Sequence, residues 1–451
     1  MGIGLRAAYV HYLVAPKAPA GPISVQESSA LIQGESNQKD TWTLIENVRK
    51  SLRFSSQPPF AVEDELTAHI APGYPYLVGL LGRSVPEESL GELVRWGQVV
   101  IGGITPGFFF LFCRRAFHSL IVATLAGLFT AFHPFWIVEV ANFTDATLVS
   151  FVLGLSLFLA VRAGDTGGPL TCLALGGVLG GLPLLRAALL PLSFILLIWF
   201  LLRSRWLKQG WLYALCAFLG FVATLAPWTI RNYQVFGEPL PIVTSAYLHL
   251  WIGNNPEATG GPATDAMWKL AESNELLPQQ SQPRRYSGFS RLVYDEISSN
   301  PEAFFQRRLN SSLMFLLGQK GLQQGTFFEM DKDNSMLPES LSVYLGLIFK
   351  AFLVAMLFLS FIGWRWSYGW KLGCVPAALV VFWLPIPYIL GHAGLLSGPR
   401  LPLDGVLLSF SAFAVGCIFP GLGGRLLSGS ESTSSFTYPE DPTINQPQRY
   451  S

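Results

Sequence analysis

Cysteine and charge are both scarce in this chain of 451 residues. The five cysteines are odd in number and scattered in or beside apolar runs, which argues against a disulfide framework. Charged residues make up only 13% of the chain, against about 25% in an ordinary soluble domain. The sequence also lacks the CxxC and HExxH spacings of zinc sites, a P-loop and a GxGxxG fingerprint. With a net charge of +1, neither nucleic acid nor a strongly acidic surface is indicated as a partner.

Long apolar runs, by contrast, are abundant, and 51% of the residues are hydrophobic. A helix that crosses a bilayer needs roughly 20 apolar residues, with about 17 as a lower limit. Nine runs approach or exceed this length, at about 94–113, 116–133, 144–162, 170–186, 187–202, 209–228, 341–363, 371–390 and 403–421. They predict an all-α polytopic membrane protein, a transmembrane bundle with about nine or ten spans and an extracytoplasmic loop region.

Basic residues order these spans. Residues 169–202 could be one bent element, but Arg162 precedes them and Arg203 follows. If both arginines are cytoplasmic, an even number of crossings separates them. We therefore predict two short helices that turn at Arg186. The other clusters assigned to the cytoplasm are Arg114-Arg115, Arg365 to Lys371 and Arg425.

This alternation predicts a chain of five parts, as follows. Residues 1–91 form an N-terminal extracytoplasmic loop with a truncated or missing first helix. Residues 92–228 form the first part of the bundle, 229–340 an extracytoplasmic loop region, and 341–424 the last three helices. The Ser/Pro/Gln-rich residues 425–451 form a disordered cytoplasmic tail.

Acids near the predicted extracytoplasmic ends of the helices are the first candidates for chemistry. Asp40 precedes an amphipathic pattern over residues 40–53, so it is either the N-cap of an interfacial helix or a catalytic base. Asp145 opens an apolar helix, where it caps that helix or binds a cation that screens a lipid phosphate. Glu139 lies on the same short loop.

Residues 67–81 (TAHIAPGYPYLVGLL) combine a break in regular structure with polar side chains. The prolines and the glycine indicate either a re-entrant turn or the start of an apolar helix. Tyr74 suits a membrane interface. His69 could bind a ligand or shuttle a proton, although a lone histidine is more often structural.

Three arginines are candidates for binding a phosphate, because a guanidinium can bind it through two parallel hydrogen bonds. Arg186 (LLRAALL) and Arg400 (SGPRLPL) lie on the predicted extracytoplasmic side, where snorkelling is the alternative explanation. Arg231 belongs to the segment 226–261, APWTIRNYQVFGEPLPIVTSAYLHLWIGNNPEATGG. That segment predicts a helix exit at Pro227-Trp228, followed by two turns.

The motifs together resemble those of the polytopic GT-C glycosyltransferases of the protein O-mannosyltransferase and aminoarabinose-transferase type, especially the bacterial branch. The resemblance covers about residues 38–425. It is carried by PGYPYLVGLLG, FTDATLVSFVLGLSL, LLRAALLPL, APWTIRNYQVFGEPLP, LWIGNNPEATGG and GPRLPLDGVLL. Asp40 stands where that family has its first-loop catalytic aspartate, with Glu63 and Asp64 as fallback acids. The chain departs from the family in its first helix and in the aromatic residue that usually follows the aspartate.

The resemblance implies an inverting transfer of a sugar from a polyprenyl-phosphate donor to an extracytoplasmic lipid, glycan or protein of the cell envelope. Asp40 would be catalytic, and the donor phosphate and substrate would be bound by Asp145, Arg186, Arg231, Arg400, His69 and Tyr74. No nucleotide cofactor is expected, and the resemblance leaves open whether a divalent cation takes part. The implied location is a bacterial inner or plasma membrane.

Other functions remain open from the sequence. A polytopic lipid or solute transporter is one, although no internal repeat is evident. A lipid-linked polymerase or ligase and an inactive glycosyltransferase homologue are others. Acceptor contacts are expected from residues 240–340, where Trp268, Arg284, Arg285 and Arg291 are candidates and solvated surface is the simpler interpretation of each.

Overall fold

Helices dominate the computed structural model of the chain, which describes residues 2–11, 32–261, 263–273, 281–317, 339–367, 373–392 and 399–418. The helices are α1 (Gly2–Tyr9), α2 (Ile32–Ser51), α3 (Gly73–Leu81), α4 (Glu87–Ala116), α5 (Leu120–Ala131), α6 (Pro134–Glu139), α7 (Ala146–Thr166), α8 (Pro169–Leu185), α9 (Leu190–Ser204), α10 (Gly210–Phe236), α11 (Ala246–Asn254), α12 (Asp265–Glu272), α13 (Gln282–Ser287), α14 (Phe289–Ser299), α15 (Pro301–Leu317), α16 (Glu339–Trp366), α17 (Val375–Trp383), α18 (Ile386–Leu390) and α19 (Leu401–Ile418). The described strands, β1 (Ser55–Ser56) and β2 (Glu65–Leu66), form one short antiparallel pair. The predicted tail lies outside the described residues.

Each of the nine apolar runs corresponds to helical structure. Five described helices are long and apolar enough to cross a membrane, namely α4, α7, α9 with the turn before it, α10 and α19; shorter apolar stretches are α5, α8, residues 351–366 of α16, and α17 with α18. The prediction of an all-α polytopic membrane protein is therefore confirmed. The predicted pair of helices turning at Arg186 is also present, because α8 ends at Leu185 and a 3-10 turn, Ala187–Leu189, leads into α9.

Small residues set the closest helix contacts. A Cβ added at Gly220 of α10 would lie within 3.0 Å of the backbone of α8, and one added at Gly73 would lie 2.8 Å from the carbonyl oxygen of Leu184. Such positions let two helix backbones approach where lipid offers no hydrophobic driving force. The second contact places the start of α3 directly against the end of α8, one residue from the turn that carries Arg186.

Helix α10 continues through the predicted exit, so that prediction is wrong. The helix runs past Pro227 to Phe236 and ends at Gly237, whose φ of 71° is the left-handed conformation that glycine adopts without strain. The indole of Trp228 donates a 2.8 Å hydrogen bond to the carbonyl of Ile242. The returning chain packs on the helix and supports the extra turns, which keeps Arg231 on a helix rather than in a loop.

The loop after α11 is held by two buried arginines of α15. Arg307 donates to the carbonyls of Asn254 and Asn255 at 2.9 and 2.6 Å, and Arg308 donates to Gly253 at 2.6 Å. The turn-rich GNNPEATGG segment is thus a fixed surface. Its backbone oxygens are satisfied by charged donors, which form the stronger kind of hydrogen bond.

Three of the basic clusters predicted to share one side lie close together in the described part of the bundle. The guanidinium groups of Arg115 and Arg162 each lie 6.0 Å from the ring centre of Phe158, and Arg203 contacts the neighbouring Gly164 position. This arrangement agrees with the predicted alternation. The assignment of these clusters to the cytoplasm stays a prediction, as do the five divisions of the chain.

Candidate active site

Asp40 lies in the middle of helix α2, not at its start. The helix begins at Ile32, so the N-cap interpretation is wrong. Leu44, Ile45 and Val48 on the following turns are buried against α3 and Trp228, because α2 packs into the protein along this face. The side chain of Asp40 keeps 21% of its surface exposed, and its Oδ2 lies 3.5 Å from Nε2 of His69. The structure therefore brings two predicted site residues together.

The segment that carries His69 is fixed on all sides. Arg231 donates to the carbonyl of Thr67 at 2.9 Å. The carbonyl of Ala68 accepts from the backbone of Thr244 at 2.9 Å, and the carbonyl of His69 accepts from the hydroxyl of Ser245 at 2.7 Å. The backbone of this segment is therefore held by residues 164 or more positions away in the sequence.

Arg231 performs this structural task with most of its described contacts. Its guanidinium also donates to the carbonyl of Phe54 at 3.1 Å and lies 4.8 Å from the ring centre of Trp228. None of its described hydrogen-bond partners is also a partner of Arg186 or Arg400. Its role toward a lipid phosphate stays a prediction.

The fallback acids Glu63 and Asp64 are exposed, whereas the neighbouring Glu65 is paired. Arg285 of α13 holds the two carboxylate oxygens of Glu65 at 3.0 and 3.3 Å. The side chain of Arg285 is only 4% exposed, so its interpretation as solvated surface is wrong. Arg284 and Arg291, with 75% and 89% of their side chains exposed, do match that interpretation.

A second polar cluster forms at the turn between α8 and α9. Arg186 grips both carboxylate oxygens of Asp145, with Nε 2.8 Å from Oδ2 and Nη2 bonded to Oδ1. Its Nη1 lies 3.5 Å from the hydroxyl of Tyr388. Asp145 occupies the N-cap position of α7, as predicted, but its side chain makes no capping hydrogen bond and pairs with Arg186 instead. The side chain of Arg186 is only 14% exposed, which also argues against snorkelling.

Glu139 shares this cluster. Its two oxygens accept hydrogen bonds from the hydroxyl of Thr144 and, at 3.0 Å, from the amide of Asn142. Burial raises the pKa of Glu139 above its ordinary value, although these hydrogen bonds act in the opposite direction. Burial alone would lower the pKa of Arg186, but the carboxylate of Asp145 raises it. Arg186 is therefore a permanent positive charge at this turn.

Tyr74 lies between the two clusters. It packs with Ile45 of α2 and Leu148 of α7, and 3% of its surface is exposed. Its hydroxyl has no hydrogen-bond partner among the described residues. Burial, followed by the charges of Asp145 and Glu139, raises the pKa of Tyr74, so it stays a neutral hydroxyl. An unpaired buried hydroxyl costs free energy, and the role of Tyr74 in binding a substrate stays a prediction.

Arg400 belongs to a different, fully buried group. It donates to both oxygens of Asp404 at 3.0 and 3.2 Å and to the carbonyl of Leu316 at 2.8 Å. Nε2 of His133 lies 3.3 Å from the same aspartate. Only 3% of Arg400 is exposed, so snorkelling does not explain it. Contact with a lipid phosphate stays a prediction, because its described partners are internal.

Two histidines missed by the sequence reasoning form a further pair. Nδ1 of His249 lies 3.2 Å from Nε2 of His392. Burial, then the proximity of His392 and His69, lowers the pKa of His249 to about 3. His249 is consequently neutral at ordinary pH. Its position could not be predicted, because 143 residues separate it from His392.

Metal ligands are not gathered in the part of the chain that the structure describes. No group of three or more His, Cys, Asp or Glu side chains there could hold an ion. All four carboxylate oxygens of Glu139 and Asp145 accept hydrogen bonds from protein donors. A cation at Asp145 would have to share these oxygens with Arg186 or displace it.

Comparison with known proteins supports the same class. Residues 71–230 match the family described as dolichyl-phosphate-mannose-protein mannosyltransferase. No curated protein matches significantly. The archaeal oligosaccharyltransferase AglB from Archaeoglobus fulgidus, in complex with an inhibitory peptide and a dolichol-phosphate, has a similar fold. Its TM-score is 0.51 at 13% identity, over 93% of this chain and 50% of that one. The apo form of the A. fulgidus oligosaccharyltransferase gives 0.52 at 14% identity, over the same 93% and 50%.

The family match over residues 71–230 and the similar fold agree with the predicted class, an integral membrane glycosyltransferase of the GT-C type. The matched region includes Tyr74, Asp145 and Arg186 but not Asp40. The chain spans about half the length of the solved proteins that it resembles. Its relation to the bacterial branch stays a prediction.

Proposed function

We propose that this protein transfers a sugar from a polyprenyl-phosphate carrier to a hydroxyl-bearing acceptor on the extracytoplasmic side of a bacterial inner or plasma membrane. The observation that carries the proposal is the placement of the two clusters around residues 67–74. Asp40 lies beside His69 at one end of this segment. At the other end Tyr74 packs in one cluster with Leu148 of α7, near enough to Asp145 and Glu139 for their charges to raise its pKa. A base and a permanent positive charge thus flank one short stretch of chain.

The choice of donor draws on the relatives. The matching family is described by a dolichyl-phosphate-linked mannose, and AglB was solved with a dolichol-phosphate. A carrier of this kind reaches the site laterally from the bilayer, and its phosphate requires a positive partner at a helix end. Arg186 supplies that charge, with the hydroxyl group of Tyr388 beside it.

The chemistry is a single displacement. Asp40 accepts the proton of the acceptor hydroxyl as the oxygen attacks the anomeric carbon. A new carbon–oxygen bond forms while the bond from that carbon to the phosphate oxygen breaks. The electron pair leaves with the polyprenyl phosphate, whose extra negative charge Arg186 stabilises. Attack from the side opposite the leaving group inverts the anomeric configuration.

Acceptor access follows from the surroundings of Asp40. Helix α13 packs against the His69 segment through Gln282, and α11 contributes the nearby His249. The described parts of residues 240–317 therefore supply the wall from which we expect an acceptor to approach. The inhibitory peptide in the AglB complex is compatible with a protein acceptor, and lipid and glycan acceptors fit the same chemistry.

Mass spectrometry of cell-envelope glycans tests the proposal in the organism. A deletion strain is expected to lose one sugar from one class of envelope glycan or glycoprotein, and to regain it when the full-length gene is restored. Accumulation of the unmodified acceptor is expected at the same time. An envelope glycan profile unchanged by the deletion, under conditions in which the protein is expressed, would contradict the proposal.

A further inference from the structure

Gln282 and Thr67 connect helix α13 to Asp40 through an unbroken series of buried side chains. Gln282 is 1% exposed, Thr67 0% and His69 6%. The amide Nε2 of Gln282 lies 2.8 Å from Oγ1 of Thr67, which lies 2.8 Å from Nδ1 of His69. Nε2 of His69 faces Asp40 at 3.5 Å. Of these residues, the mechanism proposed above uses only Asp40.

The hydrogen-bond directions in the series follow from its fixed donors. The backbone N–H of Ala68 can only donate, and it lies 2.8 Å from Oε1 of Gln282. The other atom of that amide is therefore the NH₂ group, which donates to Thr67 and, at 3.4 Å, faces Oε1 of Glu65. The backbone N–H of Ala68 thus decides which atom of the Gln282 amide is the oxygen and which is the nitrogen.

The hydroxyl of Thr67 determines which nitrogen of His69 carries the proton. Its oxygen already accepts from Gln282 and from the backbone N–H of His69 at 3.2 Å. A hydroxyl has one hydrogen to donate, and among these contacts only Nδ1 of His69 can accept it. Nδ1 is then the unprotonated nitrogen of the neutral ring, and the proton lies on Nε2, directed at Asp40.

We propose that Gln282 and Thr67 are positioning residues that hold His69 in its Nε2–H tautomer, so that its proton faces Oδ2 of Asp40, 3.5 Å away. The proposal rests on the role of Asp40 as the base. In the structure Nε2 of His69 has no hydrogen-bond partner among the described residues, so it can donate to the carboxylate of Asp40 once that side chain closes the remaining gap. Because Gln282 is the first residue of α13, a series of hydrogen bonds joins the wall assigned to the acceptor to the histidine that faces the base.

Nitrogen-15 NMR of the full chain in lipid nanodiscs tests the tautomer directly. The protein is labelled at its histidines, and the signals of His69 are assigned by their loss in a His69→Gln sample. The wild-type spectrum is expected to show a protonated Nε2 and an unprotonated Nδ1 for His69 at neutral pH. A proton on Nδ1 would overturn the proposal without any further variant.

Thr67→Val and Thr67→Ser form the matched pair, because valine keeps the β-branched shape without the hydroxyl and serine keeps the hydroxyl. In Thr67→Val the His69 signals are expected to shift toward a mixture of tautomers. The kcat is expected to fall roughly ten- to a hundredfold, as for other partners that orient a site histidine, with the KM for the donor unchanged. Thr67→Ser is expected to restore both readouts. Gln282→Met, which keeps the length of the side chain, is the second test and is expected to act like Thr67→Val.

The outcomes separate the two proposals. A wild-type tautomer that persists in both Thr67→Val and Gln282→Met overturns the positioning role. A tautomer that changes as expected in a protein showing no sugar transfer from any polyprenyl-phosphate donor supports the hydrogen-bond assignment but contradicts the proposed function.

Discussion

Asp40→Asn in the full-length protein is expected to reduce the kcat of sugar transfer by roughly 10²–10⁴-fold, the usual contribution of a general base. The amide matches the carboxylate in shape and can still accept the Nε2 proton of His69, but it cannot take the proton of the acceptor hydroxyl. The partly exposed position of Asp40 leaves the fold intact. The initial rate of transfer from a polyprenyl-phosphate sugar in nanodiscs, at saturating donor, measures the loss.

Asp64→Asn is the matched control, because it makes the same chemical change at an exposed acid of the loop between β1 and β2. It is expected to retain the wild-type rate. Loss of activity in Asp64→Asn with retention in Asp40→Asn would move the base to the fallback acid and remove Asp40 from the mechanism.

Arg186→Gln is expected to reduce the kcat by roughly 10²–10³-fold, the range found when one donor to a developing negative charge is removed. Glutamine can still donate a hydrogen bond but carries no charge for the leaving phosphate. Arg186→Lys keeps the charge and loses the two-bond geometry, so an intermediate rate is expected. Single-turnover rates of polyprenyl phosphate release measure the effect on the chemical step.

Stability must be separated from chemistry at this position. Removal of Arg186 leaves the carboxylate of Asp145 without its two-bond partner, which destabilises a partly buried acid. The thermal midpoint of each variant in detergent is therefore measured beside its rate, and Arg291→Gln, at an exposed arginine, is the control. A folded Arg186→Gln protein with the wild-type release rate would exclude Arg186 from phosphate stabilisation.

The transmembrane architecture was accessible from the sequence because lipid imposes a one-dimensional rule. A spanning helix must form all its backbone hydrogen bonds within itself and present about 20 apolar residues. Each span can therefore be identified from its own stretch of sequence. The turn at Arg186 followed from counting basic residues between runs. These arguments need no knowledge of which helices touch.

The helix ends were less accessible, because packing decides them. Helix α10 extends past Pro227 since Trp228 bonds to Ile242 on the returning chain. Helix α2 begins at Ile32, before the amphipathic pattern that starts at Asp40. A cap preference is a local tendency, and in both Asp40 and Asp145 a partner distant in sequence replaced it.

The site could be predicted only as a set of unconnected candidates. Asp40, Asp145 and Arg186 stood out by residue type and by position near helix ends. The partners that give them direction did not, because 41 residues separate Arg186 from Asp145 and 215 separate Gln282 from Thr67. A glutamine or a threonine in a polar stretch carries no signal of its own until the fold places it against a histidine.

Inverting sugar transfer is tested most directly with the purified full-length protein in nanodiscs, given polyprenyl-phosphate sugars and a bacterial envelope extract as the acceptor. Sugar transferred and polyprenyl phosphate released are counted together, and the anomeric configuration of the new bond is determined by NMR. A single displacement predicts equal amounts of the two products and inversion at the anomeric carbon. Movement of the intact donor across the bilayer without cleavage, or a product of retained configuration, would contradict it.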